Sequence, residues 1–445
     1  MNGNRGQEGV PRSGGVAREN PSCEHESLAE CSVAERPESP KADFSEESNE
    51  KVIFLLSRSS GLAPYSHEFV FGGSDPQLLS GFVAAMSSFM GEVTGLQETR
   101  WKTVFGSSST LVVEGGEWIV GVLMVMRETS EMRSKLRSVV REFEESFAFL
   151  RNADGVEDAI FSQFDMFVMR VFVEDRLSEA SVVLKGSDWR DIHVRYPSPS
   201  IGFKVTKFLY YLKSGESIKE AAHSQGLSIQ EVKSLVSEAV WRNLVYMKYI
   251  PADDDILALS EKSSSVLLSP GNPMKISSPT LKMLASLNSR YSVSSLLKRV
   301  GSRYADRVLL EVGTLINQGY VQRIPLERRF VLLHECVLSR LMAVLARVVG
   351  PARTRRFCQI ACNRGLEQHP MLGRIRFRRN LTARCVIDDT MTPADLDNMY
   401  EAVGYLIDRI QHHPLMASRV NKDIVLLAED QCRRTWISHL MDTAL

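Results

Sequence analysis

The sequence lacks several features that would place it in a familiar class. Its 54 basic and 54 acidic side chains cancel, so no net charge draws the whole chain to nucleic acid or an anionic membrane. No apolar run approaches the roughly 18–20 residues that span a bilayer, and the longest, Trp118–Met126, is typical of a buried strand. Residues 1–50 contain no apolar segment of the kind found in signal peptides, so we expect a cytoplasmic protein.

The sequence also lacks the motifs of a metal site or an enzyme. Its seven cysteines are odd in number and scattered, which argues against a disulfide framework. The spacing of Cys358, Cys362 and Cys385 matches no zinc site. The Gly-Gly-Ser sequence at 72–74 lacks the remaining residues of a phosphate-binding loop. Since no nucleophile is grouped with a base, we predict no catalytic residue, no metal and no cofactor.

What is present begins with a polar tail. Residues 1–50 are rich in Ser, Glu, Pro, Gly and Asn and contain almost no large apolar side chains. Such a segment cannot bury enough apolar surface to offset the entropy lost on ordering. We therefore predict a disordered tail at 1–50.

Residues 51–175 have the clearest pattern of strands and helices. Strands are predicted at Val52–Leu56, Tyr65–Phe71, Thr99–Phe105, Thr110–Glu114 and Glu117–Met126. A helix with Asp75 as N-cap separates the second strand from the third, and two helices follow the fifth, one capped by Ser130 and one at Val156–Val173. Because the fifth strand is apolar throughout, we expect it at the sheet centre, with helices on both faces.

This order of elements resembles the longin/roadblock fold. The resemblance also rests on the residues Gly61–Ser66 after the first strand and Leu78–Phe82 in the first helix, and archaeal members are similar at this opening. It implies an α/β sandwich that carries no catalytic residue. It further implies that the sheet edge and the first helix form dimers, including dimers with another longin/roadblock protein, and that the dimer surface receives a small GTPase.

Two winged-helix-like units are predicted next, at 201–262 and 279–329. In the first, helices at Phe203–Leu212, Ser217–Ala222 and Ser228–Leu244 precede a hairpin of Tyr246–Tyr249 with Asp255–Leu259. In the second, after a linker at Ser263–Pro279, helices at Thr280–Leu287, Val293–Val300 and Arg303–Asn317 precede a strand at Tyr320–Ile324. The shared layout suggests a tandem pair.

Winged helices often read DNA, so a DNA-binding transcription regulator is the alternative function. The candidate DNA contacts are Lys233, Arg242, Arg303 and Arg307. Acidic residues on the same helices offset them, which leaves little gain from the release of counterions. Winged helices without a basic face commonly bind proteins. A longin domain followed by winged helices also resembles the nitrogen permease regulator-like proteins, which act on GTPase signalling.

The region 330–445 reads as an all-helical domain with the densest charge of the chain. Ten arginines fall within 38 residues of it: Arg347, Arg353, Arg355, Arg356, Arg364, Arg374, Arg376, Arg378, Arg379 and Arg384. Arg374, Arg376 and Arg378 alternate, as in an extended segment that exposes one side. Together with Arg379 and Arg384 they form a candidate patch for an anionic lipid or an acidic partner. The other interpretation is that these side chains pair with acids of the same chain.

The sequence thus predicts a multidomain α/β plus α protein: a longin-like α/β sandwich, two winged-helix-like units and a helical C-terminal domain. We expect a non-enzymatic regulator or scaffold that dimerises or binds a small GTPase.

Overall fold

The computed structural model describes residues 48–70, 100–105, 109–151, 158–186, 199–261, 263–387 and 391–414, with single helical positions at 81, 83, 85, 427 and 430. The tail predicted at 1–50 therefore lies outside the described residues except for its last three. The same holds for most of the helix predicted from Asp75 and for residues 415–445 of the region predicted to be helical, apart from positions 427 and 430.

Five antiparallel strands form the sheet of the N-terminal domain, which we define as residues 48–176. They are β1 (Glu50–Ser57), β2 (Tyr65–Glu68), β3 (Arg100–Phe105), β4 (Ser109–Gly115) and β5 (Ile119–Val125). Their order across the sheet is β2-β1-β5-β4-β3. β5 pairs with β1 on one side and with β4 on the other. The central position predicted for the run Trp118–Met126 is confirmed.

Both faces of this sheet are buried. Successive side chains of a strand point to opposite faces, so Ile53 and Leu55 enter one core while Phe54 enters another. The first core is closed by helix α1 (Ser130–Ser146). The second includes Val83, from the helical segment around positions 81–85, which is 1% exposed. The expected cover on both faces is confirmed.

Helix α1 begins one residue earlier than predicted. Thr129 is extended and accepts a hydrogen bond from the Met132 amide at 3.1 Å, so Thr129 is the N-cap. The predicted cap, Ser130, instead donates its hydroxyl to Gln322 at 2.9 Å. Gly121 on β5 allows the close approach of this helix, since an added Cβ would lie 2.4 Å from the side chain of Val140.

The helix predicted at Val156–Val173 is divided. A 3-10 turn at Asp158–Phe164 leads into α2 (Asp165–Phe172). In a 3-10 turn, side chains three residues apart lie on the same side. Phe161 and Phe164 therefore both pack on Phe143, with ring centroids 5.4 and 5.1 Å away.

The next region, which we call repeat 1 (residues 178–248), contains three helices and three strands in its described part. Its elements are β6 (Val182–Lys185), α3 (Pro199–Tyr211), β7 (Glu216–Ser217), α4 (Ile218–Gln225), α5 (Ile229–Trp241) and β8 (Val245–Lys248). The sheet order is β7-β6-β8, so the strand that precedes the helices lies between the other two. Both α4 and α5 start with a capping box, at Ser217 and Ser228.

Repeat 2 (residues 252–324) has a similar layout. Its elements are β9 (Leu257–Leu259), α6 (Ser263–Leu267), α7 (Ser278–Ala285), α8 (Val293–Val300), α9 (Ala305–Asn317) and β10 (Val321–Arg323). β9 pairs with β10, so the hairpin predicted between Tyr246–Tyr249 and Asp255–Leu259 is wrong. Alternating side chains indicate which face a strand buries, but they do not indicate which strand it pairs with.

The two repeats share their backbone hydrogen bonds residue by residue. Ile218 donates to Ser181 in repeat 1 at 2.9 Å, as Val293 donates to Asp255 in repeat 2 at 2.9 Å. Gly186 donates to Leu244 at 3.0 Å, as Ser260 donates to Tyr320 at 3.0 Å. The side chains of Ser181 and Asp255 also play one role, because each accepts from the amide three residues earlier. The tandem layout therefore extends to individual hydrogen bonds.

The C-terminal region contains helices α10 (Leu326–Val349), α11 (Pro351–Gly365) and α12 (Pro393–Gln411). Strands β11 (Ile375–Phe377) and β12 (Ala383–Cys385) form a hairpin, so the all-helical prediction is wrong. Ile375 and Cys385 pack into the core of α10–α12, whereas Arg376 and Arg378 are exposed. The alternation predicted at Arg374, Arg376 and Arg378 marked this extended segment, but it did not indicate the second strand, Ala383–Cys385.

Residues 46–445 belong to one compact unit. The fold class is thus mixed α/β. The described ranges contain an antiparallel five-stranded sheet and twelve α-helices of 5 to 24 residues. Within these ranges no helix is both long and apolar enough to cross a membrane.

Candidate interaction surfaces

One edge of the five-stranded sheet is open. β3 pairs with β4 on its inner side, and among the described residues no strand pairs with its outer side. Val104 in this strand is 75% exposed, which is unusual for a β-branched side chain in a sheet. Lys102 is held by Glu128 at 2.6 Å and by Glu261 at 3.1 Å. An open strand edge of this kind can accept a strand from a partner.

The opposite edge, β2, is covered by repeat 1. The indole of Trp241, at the end of α5, stacks on His67 with ring centroids 3.3 Å apart. Burial, followed by the nearby Arg242, lowers the pKa of His67 to about 3, so the imidazole is neutral. We call this contact the aromatic seam, formed by His67, Phe69 and Trp241.

Repeat 2 contacts the N-terminal domain through a cluster of six charged side chains, four of them buried, which we call the ionic seam. Its members are Glu50, Glu131, Lys135, Asp175, Arg176 and Arg323. Arg323 of β10 reaches Asp175 at 2.6 Å and Glu131 at 3.2 Å. Although burial raises the pKa of Glu131, the cations led by Arg323 outweigh it and hold that pKa at about 2. The seam joins modules, and its charges satisfy one another.

A groove rich in aromatic residues opens beside the end of α1. It has a volume of about 410 Å³ and is lined by Phe147, Phe149, Ile160, Phe164 and Phe167, together with Glu142, Ser146 and Gln163. The Phe149 side chain is 76% exposed. An exposed aromatic beside a groove is typical of a site for another protein.

Helix α3 presents a further exposed face. Phe203, Tyr210 and Tyr211 are 69%, 70% and 60% exposed. Lys204 and Lys207 lie on the same side of the helix and are also exposed. This helix was predicted as part of a winged-helix-like unit, and its exposed aromatic face was not predicted. The i, i+7 and i+8 spacing of its aromatics, on the side away from the buried residues Val205, Phe208 and Leu209, was the available signal.

The candidate anion patch lies on the C-terminal hairpin. We call residues 374–386 the arginine hairpin. Arg374, Arg376, Arg378 and Arg379 are exposed, while Ile375 is buried, as the alternation predicted. Arg376 donates to the Gly373 carbonyl at 2.8 Å. Within the described ranges, the guanidinium groups of Arg378 and Arg379 form no hydrogen bond or ion pair.

Arg384 differs from the other four. It is the cross-strand partner of Arg376, but it is only partly exposed and lies 3.8 Å from Glu335. Glu335 is already bound by Arg290 at 2.6 Å and by the Cys385 amide at 2.6 Å. Arg384 thus joins a partly buried cluster at the base of the hairpin. Its acidic partner, Glu335, lies 49 residues earlier in the chain and was not predictable from a local pattern.

The candidate DNA contacts lie apart from one another. Arg242 of α5 pairs with Glu238 at 3.4 Å and lies close enough to His67 and Asp165 to shift the pKa of both, so it faces the N-terminal domain. Lys233 is half-buried on the same helix. Gln230, one turn earlier, donates to Glu174 of the N-terminal domain at 2.7 Å. This helix is therefore partly occupied by an intramolecular contact.

In repeat 2, Arg303 precedes the helix predicted to contain it and lies in a 3-10 turn, 4.4 Å over the ring of Tyr304. Arg307 is exposed and pairs with Glu311 at 2.9 Å. A nearly neutral helix gains little from phosphate contacts.

Comparison with models of protein families found no match, and no curated protein matches the chain. The function must therefore be argued from the surfaces themselves.

Proposed function

We propose that this chain is a non-enzymatic regulatory or scaffold protein of the cytoplasm. Its N-terminal domain would be a longin/roadblock-like platform that dimerises or binds a small GTPase. The observation that carries the proposal is the sheet order β2-β1-β5-β4-β3, in which no strand of the described residues pairs with the outer side of β3.

The two sheet edges support a role in binding because they are treated differently. β2 is closed by Trp241, whereas the described neighbours of β3 leave Val104 in solvent. Proteins usually protect an edge strand with charge, a bulge or a covering element, since an open edge pairs with other chains. A partner strand or a second copy of the chain would bury Val104 and complete the ladder.

The groove beside α1 offers a second contact on the same domain. Its lining is rich in aromatic residues and includes Glu142. Large aromatic side chains that remain exposed are costly to hydrate, and at interfaces they commonly provide much of the binding energy. The two repeats are winged-helix-like in this proposal. They serve as a scaffold because their last helices, α5 and α9, and their last strands are used in contacts between modules.

A charge substitution at the open edge tests the proposal. Val104→Glu places a carboxylate on the exposed strand without disturbing the buried core, so the fold should be unchanged by circular dichroism. Dimerisation is measured by light scattering after gel filtration. Binding is measured with a set of purified small GTPases carrying GDP or a non-hydrolysable GTP analogue. We expect one of these two associations in the wild-type chain, and a loss of at least about tenfold in the variant.

The matched control is Leu310→Glu, which alters another exposed apolar residue, on α9. Phe149→Glu alters the groove and leaves β3 unchanged, so it distinguishes binding at the groove from binding at the β3 edge. If neither association is found, or if Leu310→Glu weakens it as much as Val104→Glu does, the platform proposal is wrong.

A further inference from the structure

The outer face of the arginine hairpin carries a cost that the proposed function does not explain. Arg376 and Arg384 are direct cross-strand partners, and like charges in this arrangement are destabilising. The backbone ladder extends this face in both directions, since the Arg378 amide donates to Thr382 and the Val386 amide donates to Arg374. Glu335 lies 3.8 Å from Arg384 and offsets part of this repulsion. The other three arginines of this face, Arg374, Arg376 and Arg378, are exposed, and residues 374–386 contain no acid. Such an arrangement is expected where an anion offsets the remaining repulsion.

The choice of cation points to the same chemistry. Between Lys298 and Lys422 the chain has nineteen arginines and no lysine. Lysine would serve equally well for solubility. Arginine differs because its planar fork donates two parallel hydrogen bonds to a phosphate or a carboxylate. Arg376 is already oriented by its bond to the Gly373 carbonyl.

The outer face of the hairpin has the features of a protein surface that binds a flat partner such as a membrane. Alternate residues of a strand are about 7 Å apart, so Arg376 and Arg378 present two forks side by side. Val386 is 47% exposed at the base of the same face. The only aromatic of the hairpin, Phe377, packs against the core, so no ring is available to stack on a base. This favours a membrane over nucleic acid.

We propose that the arginine hairpin binds phosphate groups in the headgroups of an anionic membrane, with Arg376, Arg378 and Arg379 as the binding residues. Each guanidinium near an anionic surface adds attraction of about 1 kcal/mol, which is about a fivefold change in affinity. Three together therefore account for roughly a hundredfold. Binding at this site would place the protein on a membrane. This proposal does not depend on the protein–protein contacts proposed above.

The experiment uses the full chain and sedimentation with vesicles. The vesicles contain phosphatidylcholine alone, or phosphatidylcholine with either phosphatidic acid or phosphatidylserine. We expect binding to phosphatidic acid vesicles, weakened roughly a hundredfold by Arg376, Arg378 and Arg379 changed together to Ala. Changing the same three residues to Lys keeps the charge and loses the fork, so binding should fall between wild type and the Ala variant.

The matched control changes Arg353, Arg356 and Arg364 together to Ala, three exposed arginines of α11. Binding by this variant should stay within about twofold of wild type. The melting temperature of the hairpin Ala variant should also be unchanged, because exposed cations without partners contribute little to stability.

Four results would overturn the proposal. They are no vesicle binding by wild type, equal binding by the Ala variant, an equal loss in the α11 control, and a fall in melting temperature that reveals internal pairing. Two competitors identify other ligands. If duplex DNA binds wild type and the Ala variant loses that binding, while vesicles do not bind, the ligand is nucleic acid. If inorganic phosphate binds as tightly as the vesicles do, the ligand is a soluble anion.

Discussion

The N-terminal domain contacts repeat 1 through aromatic rings and repeat 2 through buried ions, although the two repeats share one hydrogen-bond pattern. Counting from the matched pair Leu244 and Tyr320, the position of Trp241 in repeat 1 is held by Asn317 in repeat 2. Trp241 stacks on His67 of the N-terminal domain. Asn317 instead donates to a carbonyl of repeat 1, that of Met247, at 3.3 Å.

The last strands show the opposite exchange. By the same count Met247 of repeat 1 matches Arg323 of repeat 2, and only Arg323 enters the ionic seam. One backbone plan therefore supports two kinds of contact, chosen by single side chains. The rings of the aromatic seam gain from burial in many orientations, whereas the ions must meet in a fixed geometry to offset their lost hydration.

Removing the indole should produce the largest effect. Trp241 is buried and packs on His67 and Phe69, so Trp241→Ala deletes contacts on both sides of the aromatic seam. We expect the free energy of unfolding to fall by about 3–5 kcal/mol. Urea unfolding followed by circular dichroism measures it, with the exposed Tyr246→Ala as control. A loss below about 1 kcal/mol would mean that the seam is not a stabilising contact.

Removing one ion should be nearly as damaging. Arg323→Met leaves the buried Glu131 with one cation fewer and removes the partner of the exposed Asp175. Breaking a buried pair costs about 3–5 kcal/mol. The exposed pair of Arg307 with Glu311 provides the control, since Arg307→Met should cost about 0–1 kcal/mol. If both substitutions cost the same, burial does not distinguish the ionic seam from the surface.

The contact of repeat 2 with the chain just after repeat 1 depends on a glycine. A Cβ added at Gly313 of α9 would lie 1.7 Å from the carbonyl oxygen of Tyr249, and backbone cannot easily move away. Gly313→Ala should therefore cost about 1–3 kcal/mol. Gly404 is also inside a helix, but its added Cβ meets only the His334 ring at 3.8 Å. Gly404→Ala should leave the melting temperature unchanged or raise it.

The smallest effect is expected at Lys135, and it depends on pH. Burial, followed by Arg176, lowers the pKa of Lys135 to about 8. The unfolded chain therefore binds more protons between about pH 8 and 10.5, and wild-type stability gains from Lys135 as pH rises through this window. Glu131 keeps Arg176 and Arg323 as partners, and the lowered pKa shows that burial disfavours the charge of Lys135, so Lys135→Met should change stability by roughly 0–1 kcal/mol at pH 7. It should also lack that gain, which urea midpoints across the window would show by comparison with wild type.

Sequence patterns predicted the N-terminal sheet well because its strands alternate or are wholly apolar. The centre of that sheet, at Trp118–Met126, followed from the absence of any polar face. Pairings over long sequence separations were not predictable in this way. Nothing in Val182–Lys185 or Leu257–Leu259 indicates which strand it joins, and Arg323 looks like any basic residue after a strand. The exposed row of the arginine hairpin was predictable because alternation is a local property.

Each repeat begins and ends on paired strands, and this has a consequence for its connectivity. Val182 pairs with Lys248, and Ile256 is hydrogen-bonded to Ile324, so the chain enters and leaves each repeat at one place. A segment with adjoining ends can be removed, duplicated or circularly permuted with little change in the path of its neighbours. A fragment that starts at residue 201 would lose the middle strand of its sheet. Fragments of this protein should therefore be cut before residue 178 or between residues 249 and 251. Cuts at these places leave each repeat with all of its strands.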